Sequence, residues 1–135
     1  MKNGRAWLAV VAVAALSCAL AWQPAGDFES FWTMFRRAAL ESDMTTLVSI
    51  TRFPLESRGP TDNDPVVRIT REEFPQRFRS LLDQDPGMRA EPETLREHIE
   101  CTVTVKAIGG SARVADLAFE QIEGRWWLVR VYQSE

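Results

Sequence analysis

CTVTVKAIGGSARVADLAFEQIEGRWWLVRVY, residues 101–132, is the stretch whose reading decides the fold. Cys101–Ile108 alternates, with Cys101, Val103, Val105 and Ala107 on one side and Thr102, Thr104 and Lys106 on the other. That is the period of a strand with one buried face. Gly109-Gly110 tolerates the positive φ that a tight hairpin needs. A second strand then puts Ala115, Leu117 and Phe119 on one face, with Asp116 and Glu120 on the other. Glu123-Gly124 turns the chain again, and Trp126–Tyr132 closes a three-stranded meander. The last strand is apolar on both faces, so it is expected to be central or covered on both sides.

Working outward, Asp27 is suited to cap a helix in which Phe28, Phe31, Trp32, Phe35, Ala38 and Ala39 recur at three- and four-residue steps. Ser42-Asp43 interrupts it, and Met44–Ile50 reads as a short second helix capped by Asp43. Arg52-Phe53-Pro54-Leu55 is extended, and because Pro54 donates no hydrogen bond it is expected at a sheet edge or in a strand's first residues. Glu56–Asp64 is a polar loop of turn-forming residues, after which Pro65–Ile69 is expected to pair back with Phe53–Leu55. Thr70-x-x-Glu73 is a capping box, and Phe74, Phe78, Leu81 and Leu82 share the face of a third helix. Pro75 implies either an irregular first turn or a helix that begins at Pro75. Asp83–Pro92 is a polar connection, and Glu93–Glu100 is a helical turn or an irregular lead-in to the meander.

Residues 1–21 are read as a secretory signal peptide, with Lys2 and Arg5 before the apolar run Trp7–Leu16 and small residues after it. Residues 22–26 form a linker, and 27–135 one domain. The mature chain is thereby expected to be exported, periplasmic or secreted. Ala19-Leu20-Ala21 suits ordinary signal peptidase, leaving Trp22 first. Ala14–Cys18 resembles a lipobox, which would lipidate Cys18 and hold the protein at the cell envelope; only that alternative brings in a membrane. The full chain carries a formal charge of −3, and residues 1–21 hold two of its basic residues and no acid. A net-acidic domain without a basic run gives no support for nucleic-acid binding.

Once Cys18 is removed or lipidated, Cys101 has no partner within the chain, and its place in the alternation suggests a buried small hydrophobe. His98, three residues away, is the one histidine. Asp62-Asn63-Asp64 lacks the glycine and distal glutamate of a calcium loop and reads as a solvated turn. No metal or cofactor is expected.

The segments FWTMFRRAALESDMTTLVSITRFPL, ITREEF and GRWWLVRVY, in the order helix, short helix, short hairpin, helix, meander, resemble the nuclear transport factor 2-like superfamily over about residues 27–133. The resemblance implies an α+β fold, with N-terminal helices packed on a curved antiparallel sheet to form a cone, often dimeric through the sheet. The superfamily holds ketosteroid isomerases, polyketide cyclases, dehydratases and epoxide hydrolases, and also members without enzyme activity, so fold does not choose function. Two readings follow. One is a non-enzymatic domain that binds a small ligand or partner protein through its cone or sheet face. The other is an isomerase- or hydrolase-type enzyme with His98, Asp116 and Tyr132 as catalytic candidates. Alternation puts Trp126, Leu128, Arg130 and Tyr132 on one face of the last strand, making Trp126, Arg130 and Tyr132 the ligand-binding candidates. The bland role for Arg130 is a salt bridge with an acid such as Glu120. Trp127, Val129 and Val131 on the opposite face are the candidate interface, open to a homodimer. Intact mass of the exported product is expected to match a chain starting at Trp22; a retained N-terminus contradicts the export reading, and a diacylglycerol adduct on Cys18 selects the lipoprotein.

Overall fold

The computed structural model describes residues 27–84 and 94–133. The signal peptide, Cys18, the linker and most of Asp83–Pro92 lie outside them. Among the described residues four helices, α1 (Phe28–Leu40), α2 (Met44–Ser49), α3 (Phe74–Leu82) and α4 (Leu95–Cys101), accompany five strands. These are β1 (Thr51–Arg58), β2 (Val67–Ile69), β3 (Ser111–Val114), β4 (Leu117–Ile122) and β5 (Arg125–Tyr132), arranged β2-β1-β5-β4-β3. The α+β arrangement holds, with β5 central as its two-sided apolar character implied. The sheet is mixed, because β1 runs parallel to β5 while the other pairings are antiparallel.

α1 starts where Asp27 accepts from the Glu29 and Ser30 N–H groups at 3.0 and 3.4 Å. It stops where Ser42 turns left-handed (φ 56) and the Ser42 and Asp43 N–H groups return to the Ala39 and Ala38 carbonyls. Those two bonds satisfy carbonyls that a helix end would otherwise leave open. All six residues of its expected apolar stripe are buried. Phe119 of β4 enters that stripe, with ring centroids 5.0–6.0 Å from Phe28, Phe31, Trp32 and Phe35. Asp43 caps α2 through the Thr46 N–H and hydroxyl. Both reciprocal bonds of the Thr70–Glu73 box form, closing a separate turn, and the regular helix begins at Phe74 with Pro75 in its first turn. A proline there removes no helical hydrogen bond.

Three expectations are corrected. Cys101–Ile108 is not a strand. Thr94 and Glu97 form a capping box that starts α4, and the helix runs through Cys101, which is exposed. Beyond it residues 102–107 have no regular structure, with Val103 65% and Ile108 86% exposed. The Trp32 indole donates to the Thr102 carbonyl at 2.9 Å, and Arg36 donates to the carbonyls of Ile99 and Glu100 at 2.9 and 2.6 Å. α1 thus satisfies the open end of α4. Next, the meander starts later than its alternation suggested. Gly109-Gly110 leads into β3, and Ala115-Asp116, with Ala115 at φ 48, turns β3 into β4. Finally, β1 is paired on both sides and extends to Arg58, so the polar loop begins at Gly59. Pro54 is accommodated because the β1–β5 register is irregular between Thr51 and Glu56, and β2 pairing begins only at Leu55.

Phe31, Phe35, Phe78, Leu117 and Phe119 are all buried, as their periods required. Phe119→Ala should lower stability by ~3–5 kcal/mol in chemical denaturation, the cost of emptying a large aromatic site. A loss at the level of an ordinary surface change would contradict the packing of α1 on the sheet.

Candidate functional site

Sheet faces are set by register, and one irregularity reverses an expectation. Phe119 pairs with Leu128, but Ala118 pairs with Arg130, so Val129 has no counterpart on β4. An extra residue of this kind switches the faces that follow it. Trp126 and Leu128 therefore point to the helices, and beyond the bulge Val131 does, while Arg130 and Tyr132 face away from them. Trp126 is 2% exposed, its ring 4.8 Å from Phe28, and its Nε1 has no partner among the described residues. It is a core residue and does not share a face with Arg130 and Tyr132. Val131 is likewise core, which removes it from the expected interface, whereas Trp127 and Val129 remain half-buried.

On the outer face one row crosses every strand: Arg68, Glu56, Arg130, Ala118 and Arg113. Arg58 and Tyr132 pair in the next row on that face. Glu56 is the acceptor that organises the row, and it replaces Glu120 as the partner of Arg130. One carboxylate oxygen accepts from Arg58 at 2.7 Å, and the other accepts from Arg130 Nε at 2.9 Å. The Arg58 hydrogen bond, and then that of Arg130, outweigh partial burial and hold the Glu56 carboxyl below its ordinary value. Burial works against the charge on Arg130, but hydrogen bonds to Glu56 and Tyr132 prevail and raise its pKa. The Arg113 guanidinium lies 4.1 Å from the Tyr132 ring centroid, a cation–π distance, and its Nε donates to the Ala115 carbonyl.

Asp116 and Tyr132 come together at the end of the sheet. The Tyr132 N–H donates to the Asp116 carbonyl at 2.8 Å, and both residues line an open groove of about 740 Å³ with Arg58, Thr61, Asp64 and Arg113. Asp64 is engaged within the loop, accepting from the Thr61 N–H and hydroxyl at 2.8 Å each, which keeps its carboxyl below the ordinary value. His98 is not brought to this groove; it lies on α4, where its carbonyl accepts from the Thr102 N–H. Between α3 and the sheet the free space is about 10 Å³, bordered by Leu55, Ile69, Phe74, Phe78, Leu81 and Val131. That is at the lower limit for a single water. Among the described residues no cluster of histidine, cysteine or acidic side chains could hold a metal ion. Sequence reasoning missed Glu56, Arg58 and Arg113, which become neighbours only through the parallel β1–β5 pairing and the β3–β4 hairpin.

No family model and no curated protein matches this chain. Solved structures to which it is similar include an NTF-2-like protein of unknown function from Silicibacter pomeroyi, at 14% identity and TM-score 0.40, covering 78% of this chain and 89% of that one. An NTF2-like protein of unknown function from Shewanella baltica is similar at 9% identity and TM-score 0.40, with 76% and 86% covered. A candidate ketosteroid isomerase from Parabacteroides distasonis shows 10% identity and TM-score 0.39, with 77% and 83% covered. Similarity at this level transfers no activity, ligand or partner to this chain.

The Glu56 network carries a pH signature. Its folded pKa is depressed, so its contribution is present above the unfolded value of about 4.5 and is lost as pH falls through the folded value. Asp27, Asp43 and Asp64 are shifted the same way by their hydrogen-bond donors. Stability should therefore fall on acidification below about pH 4.5, and Glu56→Gln should shallow that fall in urea titrations at stepped pH. An unchanged slope in the variant would contradict the assignment.

Proposed function

We propose that the mature chain is an exported, non-enzymatic domain that binds a partner protein through the outer, helix-free face of its sheet. The observation that carries this reading is where space and side chains are found. Between α3 and the sheet the free space is about 10 Å³ and the aromatic stripe of α1 is packed against the sheet, whereas the outer face presents Trp127 and Val129 half-covered beside a row of charged groups. Arg125 lies over the half-buried Trp127 ring at 5.2 Å, so the indole has a cation on one side. An indole so placed, amphipathic and rigid, is the kind of residue that anchors interfaces. What favours this over isomerase- or hydrolase-type chemistry inside the cone is that Asp116 and Tyr132 line an outer groove, and that Asp27, Asp43, Glu56 and Asp64 are held ionised rather than poised as acids.

The neighbouring tryptophans give the test, because they point to opposite sides of one strand. Trp126→Ser should unfold the protein. Trp127→Ser should leave it folded but change its sedimentation, if the partner is a second copy, or its pull-down partners, if it is another protein. Two folded variants, or a Trp127→Ser protein unchanged in every association assay, would overturn the reading.

A further inference from the structure

We infer that the outer face also holds a binding site for a compact oxyanion of the phosphate class, in the cleft between Arg130, Arg113 and Lys106. This goes beyond the partner-binding reading and does not depend on Trp127. Register places Arg130 of β5 and Arg113 of β3 on either side of Ala118 of β4, in one row and on one face. Adjacent strands are about 4.8 Å apart, so these two arginines are rooted about 10 Å from each other with only a methyl group between them. A larger residue at 118 would fill the gap; alanine leaves it open. The cleft above it is about 410 Å³, and Lys106, Ser111 and Glu120 complete its polar lining while the exposed Ile108 adds an apolar side.

The electrostatics favour an anion there. The chain as a whole has more acidic than basic residues, 19 against 16, yet this sheet row carries three arginines and one glutamate. The cleft itself is lined by three cationic residues, Lys106, Arg113 and Arg130, against one acid, Glu120, while Glu56 beside it is shared between Arg58 and Arg130. Arg113 makes no ion pair among the described residues; its Nε meets a carbonyl and its face meets the Tyr132 ring, which fix the guanidinium while leaving its terminal N–H groups to be used. Lys106 is exposed in the irregular segment beside the cleft. The terminal N–H groups of Arg113, the guanidinium charge of Arg130 beside its bond to Glu56, and one ammonium, coming from three separate segments, suit a group with several acceptor oxygens better than the two of a carboxylate. The apolar side formed by Ile108 gives an organic arm of a phosphomonoester a place to lie.

The test is an NMR titration of the purified chain with inorganic phosphate and with glycerol 3-phosphate, alongside cosedimentation with phosphatidylglycerol vesicles. Saturable amide shifts are expected around Lys106, Ser111–Arg113, Ala118 and Arg130. Lys106→Gln and Arg113→Gln should each weaken the titration about tenfold or more, as expected for loss of a charge-assisted donor. Trp127→Ser should leave it unchanged, which separates failure here from failure of the partner-binding reading. Vesicle binding displaced by glycerol 3-phosphate would identify the source as a lipid headgroup; saturation by the soluble compounds alone would identify a free oxyanion. Lys106 is exposed and outside every helix and strand, so its variant remains informative if Arg113→Gln misfolds. Absence of saturable shifts, or shifts that Lys106→Gln leaves intact in a folded protein, overturns the proposal.

Discussion

The structure depends on Phe119 standing among the rings of α1. One side chain from β4 meets Phe28, Phe31, Trp32 and Phe35 at once, and Phe28 also meets Trp126 of β5. Each aromatic pair contributes about 0.5–1.5 kcal/mol beyond the burial of its surface. The cluster therefore fixes both the distance and the rotation of α1 on the sheet. With α1 fixed, Trp32 and Arg36 are placed to cap α4, so the position of one helix determines another. Phe35 and Phe78 carry the same packing to α3. Among the described residues, the aromatic stripe of α1 is taken up by packing on the inner face, and the Glu56–Arg130 ion pair lies on the outer one.

What was legible in the sequence is what a single residue or a short period controls. Asp27 and Asp43 announce helix starts because a carboxylate at that position satisfies open N–H groups. The Thr70–Glu73 box forms as written, and the apolar stripes of α1 and α3 are buried as spaced. Cys101–Ile108 misled because alternation alone shows which residues share a side, not whether a neighbouring strand exists. The corrective signal was present in Thr94-x-x-Glu97, which starts a helix that runs into the alternating stretch. The β3–β4 turn was invisible for another reason: Ala115 adopts positive φ, a conformation whose usual markers are Gly, Asn and Asp.

The outer site was only partly legible. Arg130 and Tyr132 were recognised as candidates, but on the wrong face, since nothing in Trp126–Tyr132 marks Val129 as the unpaired residue. A bulge is a property of two strands, and its position depends on the partner's register. Glu56 and Arg130 are likewise joined by a parallel pairing across 74 residues of chain, beyond the reach of any local pattern. The bulge matters for function because it moves a guanidinium and a phenol from the interior to the exposed side, where Glu56, Arg58 and Arg113 can meet them.

The account rests on helices packed closely on the inner face of the sheet and an outer face that is open to partners. Xenon-pressure NMR of the folded protein measures the packing of α3 on the sheet directly, through the methyl groups of Leu55, Ile69, Leu81 and Val131, which border the space between them. Dry apolar cavities of roughly 150 Å³ take up xenon, whereas a space of about 10 Å³ is too small for it. The account predicts no saturable shift at these methyl groups. A saturable shift confined to them would reveal a ligand-sized cavity between helices and sheet, and would return function to the interior.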